Sequence, residues 1–217
     1  MIDFSNAAFY GNRLVAFTAS QDYNPIELKE VAGVYDNYTN PQEAQAIINC
    51  LLELVTQQTA CPSVAVVTFN LQQRNLILEQ IHQQIVQDPV IGNKFQILFS
   101  NGLIIKNLEN IQGEERDVLL LSGTFGLQKD GSLPKDFGPI HHHDGYKLLN
   151  VIITRAKQKV VVFNSIPAMY YQNYESEILK NGNTGSGILY AYLAYAQAIS
   201  NKDDKKRQAI LDLLYQP

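Results

Sequence analysis

Three apolar runs, Val64–Ala65–Val66–Val67, Val118–Leu119–Leu120–Leu121 and Val160–Val161–Val162–Phe163, constrain the fold of this chain more than any other feature. None of them alternates apolar with polar residues, so none has a face to give to water. Strands of this kind are buried on both sides, as in a parallel sheet covered by helices. The first run passes through Thr68–Phe69–Asn70 into a stretch with leucines and isoleucines at helical spacing. The third follows an amphipathic segment, Leu148–Ile153. The pattern predicts an α/β fold with a mainly parallel central sheet and helices on both faces.

The polar residues that interrupt these runs carry the chemistry. Thr154–Arg155–Ala156–Lys157 joins the amphipathic segment directly to the third strand, which fixes an arginine rigidly at a sheet edge. Taken alone, such an arginine is compatible with a solvated helix terminus. Upstream, Ile105–Lys106–Asn107 is a short strand, and Gln112–Gly113–Glu114–Glu115–Arg116–Asp117 is a polar turn leading into Val118. Thr68 ends the first run, with Gln73 and Arg74 on the first turn of the helix after it. In open α/β sheets, ligands bind at such strand ends.

In this order the three segments resemble motifs IV, V and VI of superfamily 1 helicases. Val64–Ile77 is similar to motif IV, and Ile105–Ser122 to motif V, whose Gln-Gly-x-Glu-x-Asp core falls on Gln112, Gly113, Glu115 and Asp117. Leu148–Phe163 is similar to motif VI. Phe4–Ser5–Asn6, Phe9–Tyr10, Arg13–Leu14 and Asp136–Phe137–Gly138–Pro139 narrow the likeness to bacterial helicases of the Upf1/Dna2-like branch. It extends from about Phe4 to about Ala196 and implies a RecA-like fold of the P-loop NTPase type, the second of two motor domains. It also implies roles. Arg155, with Arg74, would stabilise phosphate charge, and Gln112, Gly113 and Glu115 would contact the nucleotide. Thr68 and Asn107 would lie toward a nucleic-acid backbone. Thr68, Gln112 and Arg155 are expected along one edge of the domain.

The sequence contains no Gly-x-x-x-x-Gly-Lys-Ser/Thr and no apolar strand ending in Asp-Glu. Those parts cradle phosphates and hold Mg²⁺ in P-loop enzymes. The resemblance therefore implies half of an ATPase. ATP and Mg²⁺ would be shared with an N-terminal RecA-like domain carrying Walker A and B, on the same or a separate chain, and single-stranded nucleic acid would be the other partner. The isolated chain is expected to be inactive. The alternative is a non-catalytic RecA-like binding or interaction module. It draws on one departure, the apolar Leu148 after Lys147, where family members carry basic residues.

Composition adds bounds. With 217 residues, 46% hydrophobic and 18% charged, the chain suits one compact core. A net charge of −4 argues against a generic basic nucleic-acid binder. No apolar run is long enough to span a bilayer, Met1–Asn6 lacks signal-peptide character, and Cys50 and Cys61 have no ligand spacing. A cytoplasmic protein without membrane contact is expected. His141–His142–His143 is not a metal site by spacing, and no metal ligands are assigned. Further strands are expected at Arg13–Phe17, Val31–Tyr35 and Gln96–Ser100, with a polar loop at Gln21–Lys29 and a long loop at Phe125–Asp144. Asn40–Pro41–Gln42–Glu43 reads as a helix start with an Asn cap. Residues 1–180 are expected to form the RecA-like domain, and 181–217 a linker with a C-terminal helical extension.

Overall fold

The computed structural model describes residues 2–14, 24–57, 61–141, 145–183 and 185–215. Its centre is a five-stranded sheet formed by β1 (Ile26–Glu30), β2 (Val64–Thr68), β3 (Ile104–Asn107), β4 (Arg116–Gly126) and β5 (Ala156–Ser165). The order is β1-β5-β4-β2-β3 and every pairing is parallel. Hence β2, β4 and β5 are the interior strands, as their unbroken apolar runs require. β3 is an edge strand.

Alternate residues of these strands feed two separate cores. Ala65, Val67, Leu119, Leu121, Val160 and Val162 face one side. Val64, Val66, Val118, Leu120, Val161 and Phe163 face the other. The second side is covered by α2 (Pro41–Gln57), α3 (Leu71–Gln87) and α4 (Pro89–Ser100). The first is covered by α1 (Ile2–Phe9), α5 (Tyr146–Ile153), the short α6 (Ala168–Tyr171), α7 (Tyr174–Asn181), α8 (Gly185–Ser200) and α9 (Asp204–Leu214). α8 is apolar around most of its circumference, and eleven of its residues are buried. Its Ile188–Ala196 stretch shares one core cluster with Val160 and Leu119. The α/β fold with a parallel sheet and helices on both faces is thus the observed architecture, of the RecA-like P-loop type.

Several local expectations are corrected. Gln96–Ser100 is the last part of α4, because Ile91, Phe95 and Leu98 repeat at helical spacing toward the core. Residues 26–29, expected in a polar loop, belong to the edge strand β1, whose Glu27 pairs with Lys159 of β5 at 2.6 Å. Val31–Tyr35 makes only an isolated bridge, Val34 to Leu127. Most of the strand expected at Arg13–Phe17 lies outside the described residues, as do His142 and His143. The long loop is shorter than expected, since β4 runs on to Gly126 and Gly138–His141 forms a 3-10 turn.

Candidate functional site

A parallel sheet has two chemically different rims. Its carboxyl rim gathers Glu30, Thr68, Asn107, Gly126 and Ser165, and its amino rim Ile26, Val64, Ile104, Arg116 and Ala156. β3 and β4 are joined without an α-helix, through a single 3-10 turn at Leu108–Asn110. The connection drops from the carboxyl rim to the amino rim, buries Leu108 and Ile111 in the α5-side core, and turns sharply at Gly113. The N–H of Glu114 donates to the carbonyl of Ile111 at 3.1 Å, and Gly113 has φ of 84°. A turn with positive φ at its third residue favours glycine there. Gln112, Gly113 and Glu115 are thereby delivered, exposed, to the amino rim.

Arg155 arrives at the same rim from α5. Thr154 closes the helix by donating its hydroxyl to the carbonyl of Val151 at 2.9 Å. The Arg155 carbonyl then accepts from the Arg116 N–H at 3.1 Å. Arg116 pairs with Ala156 in the ladder, so Glu115 and Arg155 stand next to each other, each one residue before that pair. The Arg155 Nε is buried and has no hydrogen-bond partner among the described residues. A buried donor of this kind is costly until an acceptor arrives. Asp117, the last residue of the turn motif, braces the rim. Ser63 donates to its Oδ2 through the hydroxyl at 2.6 Å and the backbone at 3.0 Å, and these bonds hold the carboxyl below the usual aspartate range.

The other expected site residues are elsewhere. Thr68 lies on the opposite rim, a strand length of about 16 Å away. It is fully buried, and its hydroxyl donates to the Asn70 carbonyl at 2.7 Å. The expectation that Thr68, Gln112 and Arg155 share an edge is therefore corrected, because Thr68 ends β2 whereas the other two precede β4 and β5. Asn107 is also at the carboxyl rim, bonded to Glu109 and Asn110. Arg74 sits on the first turn of α3 and donates through Nε to the Ile105 carbonyl at 3.3 Å. It leans over β3, three strand spacings or about 14 Å laterally from β5.

The carboxyl rim holds a cluster that the sequence reading missed. Glu43 of α2 is fully buried beneath the ends of β4 and β5. Its Oε2 accepts from the Ser122 hydroxyl and the Thr124 N–H, each at 2.7 Å, and its Oε1 from the Ser165 hydroxyl at 2.7 Å. Asn40 caps α2 by accepting from the Glu43 N–H at 3.1 Å, and its amide donates to Ser165 at 2.9 Å. A Cβ on Gly33 would collide with Asn40 and Ser165, so only glycine leaves room for that bond. Gln73 completes the ring, accepting from the Asn40 N–H at 2.7 Å and donating to the Asn40 carbonyl at 3.0 Å. Burial pushes the Glu43 carboxyl up to about 7, opposed by the bonds from Ser165, Ser122 and Thr124.

No group of three or more His, Cys, Asp or Glu side chains is arranged to hold a metal ion among the described residues. No helix among them is long and apolar enough to cross a membrane.

Residues 11–166 match the model of a family described as AAA domain. The chain is 32% identical over 212 residues to a Mycoplasma genitalium protein named "Uncharacterized ATP-dependent helicase MG140". It is 33% identical over 207 residues to the Mycoplasma pneumoniae homolog of that protein. These alignments take in 95% and 93% of the chain but 18% of each relative's length. A family model that covers most of the chain, including every strand of its sheet, identifies it as a member of the AAA domain family.

Proposed function

We propose that this chain is the C-terminal motor half of an ATP-dependent helicase and supplies an arginine finger to a P-loop domain. One observation carries the reading. Arg155 is fixed beside Glu115 at a rim where its buried Nε has no acceptor among the described residues. An anionic phosphate oxygen suits such a donor in charge and in hydrogen-bonding sense. The helicase name of the relatives and the motif order support the same reading.

ATP bound between the two halves would supply the phosphoanhydride whose hydrolysis drives the motor. Arg155 would hold charge on the terminal phosphate, with its backbone locked to Arg116 so that little reorganisation is needed. Gln112 and Glu115 would contact the nucleotide from the turn set by Gly113. Mg²⁺ and the phosphate cradle would belong to the P-loop half. On the carboxyl rim, Thr68 and Asn107 would shape the path of a single strand by holding Asn70 and the 108–110 turn, and Arg74 would lie on that side too. A two-rim division of labour suits a motor that must feel nucleotide and track at once.

The test is turnover in the chain assembled with its P-loop half. Arg155→Ala should abolish most ATP hydrolysis while leaving ATP binding close to wild type. The same turnover in wild type and variant, with both folded, would overturn the reading.

A further inference from the structure

The turn between β1 and α2 is built to present a single aromatic ring. Asp36 and Thr39 exchange backbone hydrogen bonds at 2.9 Å each, which closes a two-residue turn over Asn37 and Tyr38. Both central residues have positive φ, 47° at Asn37 and 63° at Tyr38. Turns of this geometry favour Asn followed by Gly, and a bulky side chain at the second position strains the backbone. The Tyr38 side chain does not offset that strain by filling the core, since the residue is 63% exposed.

Everything around the ring is tied down. The Asn70 amide donates to the Tyr38 carbonyl at 2.9 Å, and Asn70 is also the cap of α3. The Tyr35 N–H donates to the Leu127 carbonyl at 2.9 Å, and the Val34 N–H to the Gln42 side chain at 3.2 Å. Behind the turn, Asn40 is held by Gln73 and Ser165 within the Glu43 cluster. The only carboxylate in the turn, Asp36, is neutralised by Lys129 at 2.6 Å. The turn's own carboxylate is thus paired, while Asp130 lines the same pocket as Asp36 and Asp136 acts on the Tyr35 hydroxyl, so stacking rather than charge has to carry a contact here.

We infer that Tyr38 is a stacking platform for one unpaired base of a single-stranded nucleic acid at the carboxyl rim. The inference rests on the helicase reading above and adds a base contact to a rim otherwise suited to the backbone. A rigid, exposed aromatic on a pinned turn loses little entropy on stacking and tolerates any base, because every base offers a π-face. A translocating motor needs such sequence tolerance.

The experiment measures binding of fluorescein-labelled oligothymidylate and oligouridylate to the chain assembled with its P-loop half. Tyr38→Gly should relieve the turn and keep or raise thermal stability, yet weaken binding roughly 5- to 150-fold. Tyr38→Phe should bind like wild type. On an abasic oligomer of equal charge, wild type and Tyr38→Gly should bind alike, which a merely structural role would not produce. Wild-type affinity of Tyr38→Gly for the normal oligomers, or an equal loss on the abasic one, overturns the inference alone. Failure of the wild-type assembly to bind either polymer overturns the helicase reading and the inference together.

Discussion

The backbone N–H of Thr124, a β-branched residue with φ of 62°, donates at 2.7 Å to the buried carboxylate of Glu43. β4 slips register against β5 between Ser122 and Gly126, and this irregularity lifts Thr124 toward α2. A left-handed conformation is unfavourable for a branched side chain unless its surroundings enforce it. Glu43 helps to enforce it by binding the residue on either side of Gly123 as well as Ser165.

The Glu43 cluster should make stability depend on pH. Its folded carboxyl is raised to about 7, above the ordinary value of 4.5, so the native state holds the proton more tightly than the unfolded chain. Its contribution is fully present below about 4.5 and is lost as pH rises through about 7, by an amount on the order of 3 kcal/mol. Urea melts across that window should show the slope in wild type and lose it in Glu43→Gln. Glu43→Ala should be worse at every pH, by about 3 kcal/mol or more, because Ser122, Ser165 and Thr124 lose their acceptor.

Arg155 should act on the rate rather than on affinity. In the assembled enzyme Arg155→Ala is expected to lower turnover by on the order of 10³-fold. Arg155→Lys should not restore it, because an ammonium lacks the planar fork that spans two phosphate oxygens. Steady-state hydrolysis combined with nucleotide-binding titrations separates the two effects. The 217-residue chain alone should hydrolyse no ATP above background.

Gly113→Ala isolates backbone strain from crowding. A Cβ there would meet nothing within 4 Å, so the cost comes from φ of 84° and should be about 1 kcal/mol. Thermal melts should therefore shift only slightly. Turnover should fall further than stability does, since the turn that presents Gln112 and Glu115 would rotate. A loss of fold on this substitution would contradict the open surroundings of Gly113.

Asp117 gives the opposite acid response to Glu43. Its folded carboxyl is lowered by the Ser63 bonds, so the stability it contributes is present above the ordinary aspartate value and is lost as pH falls through that value and below. Asp117→Ala is expected to cost about 1–2 kcal/mol at neutral pH through the lost hydrogen bonds. The gap from wild type should narrow in acid, as denaturation at pH 7 and pH 3 would show.

The interior of the sheet was legible because β2, β4 and β5 are buried on both faces and carry the unbroken runs that such strands need. β1 was not, since an edge strand with Glu27, Lys29 and Glu30 looks like a polar loop until Lys159 is placed beside it. α4 was misread at Gln96–Ser100 because a short apolar run does not reveal its own period. At the site, the Gln112–Glu115 turn and Arg155 were both named, and their shared rim follows from the parallel register of Arg116 with Ala156. The Glu43 cluster had no local signature. Glu43 imitates half of a capping box, and its partners Ser122, Thr124 and Ser165 lie 79, 81 and 122 positions away.

The short connection from Asn107 to Arg116, with only the 3-10 turn at Leu108–Asn110 in it, has a mechanical consequence. It descends the full depth of the sheet and crosses β2 on the way, with little spare contour and with Leu108 and Ile111 clamped under α5. A chain so short behaves as a tie rod between the two rims. Displacement of Asn107 against the sheet has to be absorbed by torsion in that segment or be delivered to Glu115, next to Arg155. Adding even one residue of slack between Ile111 and Glu115 would leave both rims intact and detune the linkage between them.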